Sequence, residues 1–209
     1  DRCPPVPPHR APARRPSQSG RVLYRGPSMI DGAPIIAVAT GCDGSSANSK
    51  AGPMIQVSII RSDVHPIIAR RDGRDVSICG LCVHRTVHAG TCYVGTEWML
   101  TLWRELEAER YPDMSPGDLA GYSYGRPVRV GSYGDPLALP IEVVRDMVKG
   151  ARRWTGYTHV WREAIAAPRA WRSLLMASVE THEERGAARA DGWRTLRIRA
   201  AGEMMAAGE

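Results

Sequence analysis

The chain has 209 residues, 43% of them hydrophobic and 24% charged, enough for one domain with a sizeable core. No apolar run reaches the roughly 18–20 residues that cross a bilayer, and Asp1 to Gly20 lacks the apolar segment of a secretory signal, so a cytoplasmic protein with no membrane partner is expected. A net charge of +6 admits a nucleic acid or nucleotide as partner; the chain has only two lysines, Lys50 and Lys149, so the excess is arginine and equally fits a GC-rich coding bias.

Residues 1–20 hold six prolines and four arginines with no apolar periodicity, the composition of a disordered arm. Arg21 to Tyr24 is strand-like. Asp31-Gly32 is a hairpin turn signal leading into the β-branched run Ala33 to Thr40. Gly41 to Gly52 reads as a polar loop, and Met54 to Arg61 as another strand. Ser62 or Asp63 is placed to cap a short helix over Val64 to Arg71.

After the cysteine segment, Thr96 to Tyr111 predicts an amphipathic helix, with Trp98, Leu102, Trp103 and Leu106 on one stripe. Asp113 to Gly125 reads as a loop and Val128 to Gly131 as a strand. Ile141 to Trp154 predicts a helix, with Ile141, Val144, Val148 and Ala151 on one face. Thr155 to Trp161 and Ser173 to Val179 read as strands. Thr181 and Glu184 form a capping-box pattern at the head of a helix running to Ala190. Trp193 to Arg199 alternates like a half-exposed strand, and residues 200–209 read as a flexible tail. The order predicts one α/β domain over residues 21–199: an N-terminal β-hairpin followed by parallel βαβ units, forming an open sheet or a partial βα barrel.

Five cysteines are present: Cys3, Cys42, Cys79, Cys82 and Cys92. The odd number and the clustering of the last three argue against a secreted disulfide framework. In residues 77–94, Cys79-Gly80-Leu81-Cys82 can bring two thiolates to one metal from a tight turn. Cys92 adds a third, and His84 or His88 a fourth ligand, which is a zinc set. Three thiolates without a histidine would instead suit an iron–sulfur cluster with one open iron.

Ligands of parallel α/β sheets bind beyond the carboxyl ends of the strands. Those ends place Ser132, Tyr133, Gly134 and Tyr157 as ligand-binding candidates. Asp135, His159 and Glu180 stand there as acid, base or proton-shuttle candidates. No Walker loop, GxGxxG, GxSxG or HExxH motif occurs, so ATP hydrolysis, dinucleotide oxidoreduction and serine hydrolysis have no support.

The segments RGPSMIDGAP, SANSKAGPM, ICGLCVHR, TCYV, VRVGSYGDP, TGYTHVW, LMASVET and GWRTLRIR, in this order, resemble an uncharacterised family of bacteriophage and prophage proteins across residues 21–199. The resemblance implies that Cys79, Cys82, His84 and Cys92 are the family-type positions, with His88 an addition, and that the chain works in a phage-infected or prophage-bearing bacterium. Those relatives carry a longer polar segment after the Cys-Tyr-Val position and a further cysteine-bearing C-terminal region, which residues 1–209 do not include. The layout is also similar to radical S-adenosylmethionine enzymes, partial βα barrels with a cysteine loop after the first strand. Their Cys-x3-Cys-x2-Cys spacing is not met here, so the likeness is one of layout alone. The function expected is a metal-containing enzyme acting on a nucleotide or nucleic acid. The alternatives are a zinc-stapled binding module without catalysis and an iron–sulfur, radical-type enzyme.

Overall fold

The computed structural model describes residues 19–44, 52–95, 97–163, 168–199 and 202–204. Most of the expected arm and tail, and much of the polar loop after Gly41, lie outside the described residues. A single seven-stranded sheet organises the chain: β1 (Gly20–Pro27), β2 (Pro34–Thr40), β3 (Ile55–Arg61), β4 (Pro127–Tyr133), β5 (Arg153–Thr158), β6 (Met176–Val179) and β7 (Thr195–Arg197), side by side in chain order. β1, β2 and β3 pair antiparallel. From β3 onward every neighbouring pair is parallel. The sheet does not close; β1 and β7 are its edges.

The β-branched runs in β2 and β3 are buried on both faces, with Ile35, Ile36, Ile55, Ile59 and Ile60 almost fully enclosed, as expected of strands covered by other elements on each side. The helices are α1 (Pro66–Asp72), α2 (Val76–Cys79), α3 (Glu97–Glu107), α4 (Leu119–Ser123), α5 (Ile141–Val148), α6 (Pro168–Leu174) and α7 (His182–Ala190). Because β3 to β7 run parallel, their carboxyl ends lie on one rim. No helix among the described residues is long and apolar enough to cross a membrane.

Several local expectations change. The cap of α1 is His65, whose Nδ1 accepts from the Ile67 N–H at 3.3 Å, because the helix starts at Pro66, two residues later than expected; Asp63 is held by Arg61 at 2.9 and 2.7 Å instead. The helix expected over Ile141 to Trp154 stops at Val148. Gly150 packs so closely on α4 that a Cβ there would sit 2.3 Å from the Ala120 Cβ. Trp154 joins β5 and donates from its indole to the Leu174 carbonyl.

The expected loop over Asp113 to Gly125 contains a 3-10 turn at Pro116–Asp118 and α4. The expected strand Ser173 to Val179 is shared between the end of α6 and β6. A short apolar run has no period that distinguishes the two. Trp161, expected in β5, lies in a 3-10 turn beyond it.

Candidate functional site

The rim at the carboxyl ends of β4, β5 and β6 lies under the cysteine segment. Three contacts hold the segment there. The Asp135 N–H, just past β4, donates to the Ile78 carbonyl of α2 at 2.5 Å. Ser28 Oγ donates to the Ser77 carbonyl at 2.6 Å. Gly80 rests on Val160, where a Cβ would come within 2.4 Å of the valine Cγ1, and its φ of +55° is one that L side chains rarely adopt. That glycine makes the tight turn between Cys79 and Cys82 possible against the end of β5.

Two arginines brace the segment internally. Arg85 is 6% exposed and meets the equally enclosed Asp75 through Nε and Nη2, 3.0 and 2.6 Å from Oδ1. Its Nη groups also donate to the carbonyls of Gly80 and Gly73. Arg70 reaches from α1 to Thr86 Oγ1 and to the carbonyls of Val94 and Cys92. The segment therefore has a defined shape despite little regular structure. Sequence reading missed both arginines; the only signal was Arg85 directly after the Cys-Val-His run.

Cys79, Cys82 and Cys92 are free and half-buried, and close enough to influence one another electrostatically. They do not form a set whose sulfurs all lie within 4.8 Å of one another. Burial pushes the Cys82 thiol up to about 11, partly offset by the His84 N–H that donates to it, and raises Cys79 well above the ordinary thiol range. Such thiols are protonated at neutral pH and are poor nucleophiles.

His84 turns to the rim. Its Nδ1 lies 2.6 Å from Thr91 Oγ1 and its Nε2 3.1 Å from Glu180 Oε1. His159, immediately after β5, packs edge-on to the His84 ring at 5.2 Å, with its Nε2 3.8 Å from the same Glu180 oxygen. Three residues from three separate stretches of chain thus converge, their ligand atoms all within 4.8 Å of one another. Burial, aided by the neighbouring His84, depresses His159 to about 4. Burial and the adjacent Glu184 carboxyl raise Glu180. Glu180 is held at the head of α7, where Thr181 Oγ1 caps the Glu184 N–H and Glu184 Oε2 accepts from the Glu180 N–H.

The remaining candidates have other partners. Asp135 is buried beneath the triad, and its carboxylate accepts from the Leu137 and His159 N–H groups at 3.0 and 2.8 Å. It braces the ends of β4 and β5 and sets where His159 stands. Burial raises it to about 6, against the opposing effect of those hydrogen bonds. Ser132 Oγ is tied to Ser58 Oγ and the Val57 carbonyl between strands. Gly134, with φ +78°, would place a Cβ 2.8 Å from Ile59. Tyr133 is buried with its ring edge-on to Trp98, and its hydroxyl has no partner. Tyr157 is half-buried on β5. His88 is exposed.

A shallow depression of about 370 Å³, lined by Arg162, Thr181, Glu183, Glu184 and Ala187, adjoins the triad through Glu184. No known protein family, no curated protein and no solved structure was found to match the chain.

Proposed function

We propose that the chain is a metal-containing enzyme of bacteriophage type that acts on a nucleotide or nucleic acid at the rim above β4, β5 and β6, with an iron–sulfur cluster on Cys79, Cys82 and Cys92. The observation that supports this reading most is the meeting of the cysteine segment with the strand-end residues through His84 and Glu180. The donor set can be weighed against each metal. Zinc–sulfur bonds of about 2.3 Å in a tetrahedron put sulfurs about 3.8 Å apart, and the three sulfurs do not all lie within 4.8 Å of one another. His84, the expected fourth ligand, is engaged by Thr91 and Glu180. Three thiols without a free histidine suit a cluster better than a four-ligand zinc site.

Such a cluster, held by Cys79, Cys82 and Cys92, would supply electron transfer. The chain's own residues then have distinct parts. Arg85 and Asp75 hold the loop in place. Gly80 lets the loop pack directly on Val160. Neutral His159 offers an imidazole nitrogen, and Glu180 a carboxyl of raised affinity for protons, to a ligand at the rim. The net charge of +6 supports a phosphate-bearing substrate, and the eight-segment resemblance supports the phage setting.

Iron and sulfide analysis with a visible spectrum after anaerobic purification tests this reading. Iron with absorption near about 400 nm, lost on Cys79→Ser or Cys92→Ser, is the expected result. Zinc without colour, lost on Cys92→Ser, would favour the second reading, a stapled binding module, for which the arginine bracing of the loop is the supporting observation. Absence of any metal would leave three ordinary thiols and overturn both.

A further inference from the structure

Apart from the thiols, the rim holds a second group of metal-binding atoms. We infer that His84, His159 and Glu180 form a site for a divalent transition-type cation such as zinc, with one position open for water or an anionic oxygen of a substrate. The inference goes beyond the cluster reading and does not depend on it.

Geometry is the first support. A tetrahedral ion with ligand bonds of 2.0–2.1 Å holds its donors about 3.3 Å apart. His84 Nε2 and His159 Nε2 stand 3.1 and 3.8 Å from Glu180 Oε1, and all three atoms lie within 4.8 Å of one another. Small side-chain rotations close that set around one ion.

Hydrogen bonding is the second. His84 Nδ1 meets Thr91 Oγ1 at 2.6 Å. When Nδ1 carries the proton, it donates to the threonine and turns the Nε2 lone pair toward the rim, the outer support that metal-bound histidines use.

The third support is His159 Nε2, which is buried and has no hydrogen-bond partner. A plain His84–Glu180 ion pair accounts for two of the residues and leaves this nitrogen unsatisfied. A shared cation accounts for all three. Two imidazoles and one carboxylate with an open fourth position make a set that binds zinc and leaves room for chemistry. The cation would polarise an incoming phosphoryl or carbonyl oxygen, or a water molecule.

The test is a cobalt(II) titration of the chelator-treated full chain, followed by its visible spectrum and by the thermal midpoint. Expected are about one cobalt per chain with d–d bands but no sulfur-to-cobalt charge-transfer bands, and a rise in midpoint as cobalt is added. His159→Ala and Glu180→Gln should each weaken binding at least about tenfold. Thr91→Val, a change at an exposed position, should weaken it about 10–100-fold through loss of the outer support. His88→Ala, at an exposed position outside the set, should leave cobalt binding unchanged. Cobalt bound with sulfur charge-transfer bands, no cobalt bound at all, or unaltered affinity in both His159→Ala and Thr91→Val would overturn the inference. Protein that carries no iron as isolated anaerobically, before any chelator, and binds cobalt this way would refute the cluster and leave the cation site standing.

Discussion

Arg85 and Asp75 form a buried ion pair inside the cysteine segment, two guanidinium nitrogens converging on one carboxylate oxygen at 3.0 and 2.6 Å. Removing one partner leaves the other charge buried and unpaired, which typically costs about 3–5 kcal/mol. Arg85→Met is therefore expected to lower stability by about that amount and to speed labelling of Cys79 and Cys82 by a thiol reagent. Denaturant unfolding and labelling rates check the two effects. Arg85→Met combined with Asp75→Leu should recover much of the loss; unchanged labelling in the single variant would deny the pair its role in shaping the loop.

The pH dependence of stability should expose two opposing groups. His159 is depressed to about 4 from 6.5, so its contribution is full above about 6.5 and is lost as pH falls toward about 4. Asp135 is raised to about 6 from 3.8, so its contribution is full below about 3.8 and is lost as pH rises through about 6. Between these limits the two slopes oppose each other in the chelator-treated chain. In His159→Gln the remaining Asp135 slope should appear as stability falling with pH over that window. A steeper fall in wild type than in His159→Gln would contradict the assignment.

Gly134→Ala is expected to destabilise the rim. The position has φ +78°, and the added carbon would sit 2.8 Å from both Ile59 Cβ and its carbonyl oxygen. Backbone strain alone costs about 1–3 kcal/mol. The neighbouring Asp135 carries the His159 amide, so the same change should reduce rim metal binding beyond its effect on the thermal midpoint.

A phosphate-bearing ligand predicts salt-sensitive binding. Affinity for single- or double-stranded nucleic acid should fall linearly on a log–log plot against salt, with a slope that counts the phosphates neutralised. Fluorescence anisotropy at several ionic strengths measures it. No binding at low salt would remove nucleic acid and leave a nucleotide or another small anion.

Much of the sheet was legible from residues in sequence. The Asp31-Gly32 turn and the buried β-branched runs mark the hairpin, and the capping pattern at Thr181 and Glu184 marks the head of α7. The capping box differs in one detail, since Glu184 reaches back to the Glu180 amide. Ala151 and Trp154 continue the apolar stripe of α5, so periodicity could not show where Gly150 presses on Ala120 and ends the helix. His159 and Glu180 could be placed on the rim because each follows a recognisable strand. Their convergence with His84 depends on how Arg85, Asp75 and Arg70 fold an irregular loop back over the sheet, and no local pattern encodes that. Asp135 looked reactive for the same positional reason, yet its two oxygens hold backbone amides.

The side-by-side order of β1 to β7 bears on how the chain assembles. Each strand docks beside the one made just before it, so the sheet can lengthen at a single edge as the polypeptide leaves the ribosome. One connection breaks that rhythm: the long excursion between Arg61 and Pro127, which contains Cys79, Cys82 and Cys92. Closing a longer loop costs little extra free energy, about 0.6 kcal/mol per doubling, but contacts far apart in sequence slow folding. His84 and Glu180 lie 96 residues apart and can meet only after β6 is in place. The rim is therefore among the last parts of the molecule to form, and a ligand that needs His84 and Glu180 together can bind only after β6 has been made.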